Sequence, residues 1–196
     1  MTLVALIRHA PTTWNDEKLI QGRSDTALSK AGIALARSWR VPETLTGMPW
    51  VTSTLSRTRD TARHMGLEPL TTEPRLDEMD WGHWAGRSLA DLRAEHGAAM
   101  AENEALGLDF RPSGGETPRE VQRRLGAWLK DIAEAGADIG AITHRGVQRA
   151  AIGLATGWDF LDKPPVKLGR SAILLLALDE FGRPRLERSD LSLDGP

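Results

Sequence analysis

Short apolar runs that stop abruptly at polar residues divide this chain into predicted strands. Leu3 to Ile7 is uninterrupted apolar sequence and is typical of a short buried strand. Trp50 to Thr52 predicts a second, weaker strand, and Asp138 to Thr143 predicts a third. Ala172 to Leu178 and Arg185 to Arg188 predict two closing strands joined as a hairpin.

Between these strands, apolar residues recur at helical spacing. Ser29 is a favoured N-cap residue and predicts a helix over Lys30 to Trp39. A second helix is expected over Ser53 to His64, with Pro69 beyond its end. The stretch from Leu70 to Met79 is expected to contain a further extended piece.

The second half of the chain adds two more helices and one irregular segment. Thr117 to Glu120 combines an N-cap, a proline at the first helical position and a glutamate placed for a capping box, so it predicts a helix start. Val147 to Thr156 also has a helical pattern. The segment Asp80–Gly115 is rich in glycine, and we expect it to contain short helices near Leu89 to Glu95 and Ala98 to Leu106.

Strands that alternate with helices are typical of a three-layer α/β/α sandwich around a mostly parallel central sheet. A chain of 196 residues suits one domain and can bury a substantial core. We therefore predict an α/β fold with a single domain over residues 1–196. The 80–115 segment is then expected to pass over the sheet, above the active site, and not to form a domain of its own.

Composition narrows the classes of function. Charged residues make up 27% of the chain and hydrophobic residues 40%, which favours an ordered globular protein. The net charge of -2 argues against a nucleic-acid partner. The chain has no cysteine, which excludes disulfides, thiolate metal sites and cysteine nucleophiles. The longest apolar run is far too short for a membrane helix, and no signal peptide is visible, so we expect a soluble cytoplasmic protein.

Basic residues follow three of the predicted strands. Arg8 and His9 come directly after the first strand, Arg57 lies shortly after the second, and His144 follows the third. Because the carboxyl ends of parallel strands share one edge of a sheet, we expect these four side chains to converge.

Two arginines and two histidines at one point favour a compact, highly charged anion such as phosphate. Neighbouring arginines favour the neutral form of an imidazole, and a neutral imidazole can attack phosphorus. Glu78 could then supply the proton that the leaving oxygen requires, with the adjacent carboxylates Asp77 and Asp80 as the alternatives.

The residues from Arg8 to Asn15 resemble the Arg-His-Gly-x-Thr-x-Trp-Asn signature of the histidine phosphatase superfamily, the phosphoglycerate-mutase-like proteins. Further matches follow in the family's order: Gln21–Gly22, Asp25–Gly32, Ser53–Arg57 with Thr61–Ala62, Leu76–Glu78 with Gly82, Trp84 and Gly86, Gly114–Thr117, and Thr143–His144. The ordered set is much more specific than any one piece. The compact chain, which shows no long insertions, resembles the small phosphatase branch of this family.

The resemblance implies a phosphoglycerate mutase-like fold and a role for each matching residue. His9 would be the nucleophile that forms a phosphohistidine, and Arg8, Arg57 and His144 would hold the phosphoryl group. Glu78 would protonate the leaving alcohol and then activate water. The resemblance also places three residues on the phosphate or substrate side: Asn15, Gln21 and Gly22. No metal and no other cofactor is implied.

Two positions depart from the family pattern. Ala10 replaces the usual glycine after the first histidine, which is tolerable unless the backbone there needs a positive φ. Arg145 stands where the family often has glycine after the second histidine. Arg145 either adds a substrate contact, crowds the pocket or points to solvent, and the sequence leaves these three open.

Three hypotheses follow from these residues. The preferred one is a metal-independent phosphomonoesterase that acts on a small phosphorylated metabolite. The second is a cofactor-dependent phosphoglycerate mutase, which uses the same histidine but retains the phosphoryl group. The third is a phospholigand-binding module that has lost turnover. Neither the substrate nor the oligomeric state can be predicted from the sequence.

Overall fold

The structure is a computed structural model that describes residues 1–67 and 71–194. The predictions made for Pro69 and for the extended piece at Leu70 lie outside the described residues. Thr71 and Thr72, which are described, do form a short strand.

The described chain is built on one central sheet of six strands. Their bounds are β1 (Thr2–Arg8), β2 (Trp50–Thr52), β3 (Thr71–Thr72), β4 (Ile139–Thr143), β5 (Ala172–Leu178) and β6 (Pro184–Ser192). The spatial order is β3-β2-β4-β1-β5-β6, in which β1, β2, β3 and β4 run parallel. β5 pairs antiparallel with both β1 and β6, so the predicted closing hairpin is confirmed.

Helices cover both faces of this sheet. α2 (Lys30–Ser38) and α3 (Ser56–His64) lie on one face, and α5 (Pro118–Ala135) and α6 (Arg145–Thr156) lie on the other. Two further helices, α1 (Thr13–Asp16) and α4 (Leu89–Glu104), lie outside these layers, and short 3-10 turns occur between the elements. The predicted caps are present: the Ser29 hydroxyl accepts from the Gly32 N–H, and Thr117 forms a capping box with Glu120.

The core lies in two layers, one on each face of the sheet. Alternate residues of β1 point to opposite faces, so Val4 and Leu6 pack with α5 and α6, while Ala5 and Ile7 pack on the side of α2 and α3. A strand buried on both faces explains why its sequence is continuously apolar. The predicted α/β/α sandwich with a mostly parallel sheet is confirmed.

One predicted helix start was wrong for a local reason, and an interrupted helix was predicted correctly. The helix after β2 begins at Ser56, because the Ser53 hydroxyl accepts from the Leu55 N–H and thereby stabilises an extended approach. The two short helices predicted in the 80–115 segment are confirmed: α4 consists of two helical pieces separated at Gly97, whose backbone is non-helical with φ 50° and ψ -120°.

The 80–115 segment packs on two loops near the carboxyl end of the sheet. The Gly86 N–H donates to the carbonyl of Ile20 over 2.8 Å, and Gly22 lies against Trp81. Gly107 lies close to Asp159, which follows α6. Over the described residues, no helix combines the length and the apolar character needed to cross a membrane.

Candidate active site

Three strand ends bring the predicted basic residues to one edge of the sheet. β1 and β4 run parallel with Arg8 paired to Thr143, so the next residues, His9 and His144, lie side by side. Their ring centroids are 5.2 Å apart. β2 lies on the far side of β4 and leads into the first turn of α3, which contains Arg57. The predicted convergence is therefore present.

His9 is buried and its tautomer is fixed by one hydrogen bond. Its Nδ1 lies 2.8 Å from the carbonyl oxygen of Ala10, which can only accept, so Nδ1 carries the proton. Burial, followed by the charges of Arg8 and Arg57, holds the pKa of His9 well below its usual range. The ring is neutral at pH 7, and its Nε2 has an available lone pair.

His144 is the N-cap residue of α6, and its side chain reaches across to the strand end of β2. Its Nε2 lies 2.7 Å from Ser53 Oγ, which is also 3.0 Å from Thr58 Oγ1. Burial, with Arg57 and His9 as further causes, holds the pKa of His144 well below its usual range. Its Nδ1 is buried without a partner among the described residues. A buried nitrogen of this kind can contact a ligand oxygen.

Arg57 is fully buried and is fixed by backbone carbonyls of the loop after α1. Its Nη1 donates to the carbonyl of Ser24 and its Nη2 to that of Gly22, each over 2.7 Å. Burial lowers the pKa of Arg57, while the nearby Glu78 charge raises it. A buried guanidinium held this way presents a fixed positive charge to an anion.

Three carboxylates lie close together in sequence, but the structure gives them different surroundings. Asp77 accepts from the Thr54 N–H over 2.8 Å and from the Thr54 hydroxyl, and Asp80 accepts from the Gly82 N–H. The Glu78 charge acts on Arg8 and is the largest acidic influence on Arg57. Glu78 is therefore the carboxylate that lies with the basic cluster.

Glu78 is held by the N-terminus of α6. Its Oε1 accepts from the Met79 N–H over 2.9 Å and its Oε2 accepts from the Gly146 N–H over 3.3 Å. A carboxylate is stabilised at this end of a helix by the free N–H groups and the helix dipole. A side chain at Gly146 would displace the Glu78 carboxylate, because a Cβ built on it would be 2.2 Å from Glu78 Oε1.

The segment around Glu78 is also tied to α5. The Glu116 N–H donates to the carbonyl of Asp80 over 2.9 Å, and the Glu116 carboxylate accepts from Arg124 Nε over 2.8 Å. Arg124 in turn donates to the carbonyl of Arg75. The sequence Gly114–Thr117 therefore connects the carboxylate segment to the helix that follows it.

The three residues predicted for the substrate side all form hydrogen bonds within the protein. Gly22 supplies a carbonyl to Arg57, and the neighbouring Gln21 is buried and accepts from the Thr26 hydroxyl over 2.6 Å. Asn15 uses its side-chain oxygen to accept from the Thr12 N–H in the capping box of α1. These contacts position the loops around Arg57 and His9.

Ala10, the first departure from the family pattern, fits without strain. It has no positive φ, and its methyl group is fully buried in the core. Its N–H donates to Thr61 Oγ1 over 3.0 Å, and the Thr61 hydroxyl donates to the carbonyl of Arg57. The alanine therefore keeps the backbone at His9 linked to α3.

Arg145, the second departure, lines a cavity of about 270 Å³ that opens beside Arg8. We call it the cationic cavity, because its other charged lining residues are Arg149, Lys167 and Arg170. Burial, and then the Arg170 charge, lower the pKa of Arg8 to about 10, so Arg8 stays protonated at neutral pH. Arg145 is exposed and lies on the wall of this cavity, so its side chain is open both to solvent and to a ligand and does not crowd the pocket.

A second cavity, of about 360 Å³, shares Arg149 with the cationic cavity as a lining residue and is also lined by Gly146; we call it the aromatic cavity. The 80–115 segment contributes Trp81 and Phe110 to its lining, with their ring centroids 5.7 Å apart. Met79, next to Glu78, also lines it. Cavities of this size and character suit part of a small metabolite.

Several residues of the site were missed by sequence reasoning. Ser53 gave a signal, since it precedes Arg57 in a matching motif, but its contact with His144 depends on how β2 and β4 pair. Arg149 and Arg170 gave no signal beyond their charge. Arg149 shares the helical face of Arg145 at a spacing of four residues, which could have indicated it.

The chain matches the family model of the histidine phosphatase superfamily (branch 1) over residues 4–189. The 2,3-bisphosphoglycerate-dependent phosphoglycerate mutase of Methylobacterium radiotolerans is 32% identical over 132 residues, which are 63% of this chain and 62% of that protein. The chain therefore aligns with less than two thirds of this relative's length.

Solved structures share the whole fold. Bacillus stearothermophilus YhfR superposes with a TM-score of 0.83 at 25% identity and covers 100% of both chains. A mycobacterial glucosyl-3-phosphoglycerate phosphatase in complex with VO3 superposes with a TM-score of 0.82 at 23% identity, over 98% of this chain and 100% of the other. The near-complete family match, together with this fold, shows that the chain belongs to the histidine phosphatase superfamily, branch 1.

Proposed function

We propose that this protein is a metal-independent phosphomonoesterase that acts through a phosphohistidine on a small phosphorylated metabolite. One observation carries the proposal: the Nδ1 proton of His9 is committed to the carbonyl of Ala10, which leaves Nε2 free to attack. The low pKa of His9 keeps that nitrogen unprotonated even in weak acid.

In the first step, His9 Nε2 forms a bond to phosphorus while the bond from phosphorus to the ester oxygen breaks. Arg8, Arg57 and the free Nδ1 side of His144 stabilise the charge on the other three phosphoryl oxygens. Glu78, in its protonated form, donates its proton to the departing oxygen, so that an alcohol leaves.

In the second step, water attacks the phosphohistidine. The Glu78 carboxylate, which the first step has left deprotonated, takes a proton from that water as the bond from nitrogen to phosphorus breaks. Inorganic phosphate leaves, and both His9 and Glu78 return to their starting states. The arginines supply the positive charge that a metal ion supplies in other phosphoryl-transfer sites.

Hydrolysis of a panel of phosphate esters in the presence of EDTA tests this proposal. We expect phosphate release by the wild-type protein, a trappable phosphoenzyme, and loss of both in the His9→Ala variant. If folded wild-type protein releases no phosphate from any ester, the proposal is wrong.

The second candidate is a phosphoglycerate mutase, which the similarity to the Methylobacterium mutase favours. A mutase must exclude water from the phosphohistidine and return the phosphoryl group to a second acceptor. Interconversion of 2- and 3-phosphoglycerate that requires priming by 2,3-bisphosphoglycerate, with little phosphate release, would favour the mutase. Phosphate release without priming favours the phosphatase.

A further inference from the structure

The cationic cavity contains more positive charge than one phosphoryl group requires. Five basic side chains line it: Arg8, Arg145, Arg149, Lys167 and Arg170. Of these, only Arg8 also belongs to the group of four basic residues at the strand ends, which is Arg8, His9, Arg57 and His144. The remaining four extend away from it along α6 and the loop before β5.

None of the five has a carboxylate partner within ion-pair distance in residues 1–67 and 71–194. Three of them contain a buried nitrogen without a hydrogen-bond partner in that part of the chain: Arg8 Nε, Arg149 Nε and Arg170 Nη1. Elsewhere, by contrast, arginines such as Arg119 and Arg124 form close pairs with acids. Cationic side chains that line a cavity without an acidic partner, and that retain unsatisfied donors, indicate a place for an anionic acceptor.

The charges around the cavity repel one another. Burial lowers the pKa of Arg149 and of Arg170, and in both cases the Arg145 charge is the next cause. Glu78 opposes this effect at Arg149, and Asp16 opposes it at Arg170. An anion in the cavity would relieve this repulsion.

Arg149 is held in place without an acidic partner. Its guanidinium lies over the rings of Trp158 and Phe160, at 5.0 and 5.3 Å from their centroids. The two rings stack on each other with centroids 4.1 Å apart. Stacking of this kind orients a guanidinium while leaving its N–H donors available.

We propose that the cationic cavity is a second anion subsite, which binds a carboxylate or second phosphoryl group of the phosphate ester whose first phosphoryl group lies at His9. The assignment rests on the proposed function. Arg145 and Arg149 are one helical turn apart, so the subsite begins beside Arg8 and extends by about 5 Å per turn of α6. A second anionic group a few bonds from the first fits that spacing.

Paired substrates test the subsite directly. 3-Phosphoglycerate and glycerol 3-phosphate differ only in a carboxylate against a hydroxymethyl group, and fructose 1,6-bisphosphate and fructose 6-phosphate differ in a second phosphoryl group. We expect kcat/KM to be at least about 10-fold higher for the anionic member of one pair, since a charge-assisted contact contributes about that much.

The Lys167→Gln and Arg149→Gln variants should each reduce that ratio by up to about 10-fold. Lys163→Gln is the matched control, because Lys163 is exposed in the same loop and does not line the cavity. If the ratio is unchanged in both variants, or falls equally in the Lys163→Gln control, the subsite assignment is wrong.

Calorimetric titration with inorganic phosphate separates this proposal from the proposed function. We expect two phosphates per wild-type chain and one per chain of the Lys167→Gln, Arg149→Gln double variant. Two bound phosphates with no ester hydrolysis would refute the phosphatase and retain the subsite. Ester hydrolysis with one phosphate bound to both proteins would refute the subsite. Two phosphates with no preference within either substrate pair would mean that the cavity takes a free anion, which also overturns the assignment.

Discussion

Replacing Gly146 by alanine should slow the step in which Glu78 protonates the leaving group. A Cβ at this position would lie 2.2 Å from Glu78 Oε1 and 3.2 Å from Cδ, while ordinary contact begins at 3.4 Å. The carboxylate oxygen must therefore retreat by about 1 Å. Misplacement of a catalytic group by about 1 Å costs about 100-fold in rate.

Stability should change little, which separates this effect from misfolding. Gly146 has no positive φ, and alanine is favoured over glycine in a helix by up to about 1 kcal/mol. The weakened contact between Glu78 and the N-terminus of α6 offsets part of that gain, by about 0.3 to 1 kcal/mol. We expect the free energy of unfolding to stay within about 1 kcal/mol of the wild-type value.

The assay is the rate of phosphoenzyme formation in single-turnover rapid quench, with two kinds of ester. An alkyl phosphate needs a proton on its leaving oxygen, so its rate should fall by about 100-fold in Gly146→Ala. The rate for p-nitrophenyl phosphate should fall much less, because nitrophenolate can leave without a proton.

Gly126→Ala is the matched control, because Gly126 lies in α5 and a Cβ there would meet nothing within 4 Å. It should leave both rates unchanged. Glu78→Gln shows the full loss expected when the acid is removed. If Gly146→Ala forms the phosphoenzyme from the alkyl phosphate at the wild-type rate while Glu78→Gln does not, the reasoning about Gly146 is refuted.

Three further predictions concern other parts of the site. The pKa values of His9 and His144 are held well below 6.5, so below that pH the unfolded chain binds protons that the folded chain does not. The free energy of unfolding should therefore be fully retained above pH 6.5 and should decrease at lower pH by up to about 2.7 kcal/mol per pH unit. The His9→Asn, His144→Asn double variant should show a smaller decrease in urea titrations across that range. Ser53→Ala should lower the rate of phosphoenzyme formation by about 10-fold with a stable fold, because His144 loses the hydroxyl that orients it; an unchanged rate in rapid quench would contradict this role. Gly32→Ala should destabilise the protein by about 1–3 kcal/mol in thermal unfolding, since a Cβ would overlap the carbonyl oxygen of Pro11, and an unchanged Tm would refute this.

The parallel sheet and the convergence of its strand ends could be predicted because their signals are local. The run from Leu3 to Ile7 is continuously apolar since it is buried on both faces, and such runs indicate interior parallel strands. Parallel pairing of the strands is then enough to predict that His9, Arg57 and His144 lie close together. The motif order in the sequence strengthened the same inference.

The rest of the site depends on contacts between segments that are distant in sequence. Nothing near Ser53 shows that it reaches His144, since that contact is set by strand pairing. The choice of Glu78 over Asp77 follows from the Thr54 contact, which takes up the Asp77 carboxylate. Arg170 joins the site through an irregular loop whose path has no periodic pattern to indicate it.

The junction between β4 and α6 has a consequence for how this protein can diversify. His144 is at once the residue after the strand and the N-cap of the helix, so no linker separates them. An insertion or deletion there would displace the imidazole and the Glu78 anchor together. The exposed residues 161–165 lie beyond the Trp158 and Phe160 rings that hold Arg149, and Pro164 among them lines the cationic cavity. Changes in loop length that alter substrate preference without loss of chemistry should therefore accumulate between residues 161 and 165, which makes this stretch the natural target for engineering new specificities.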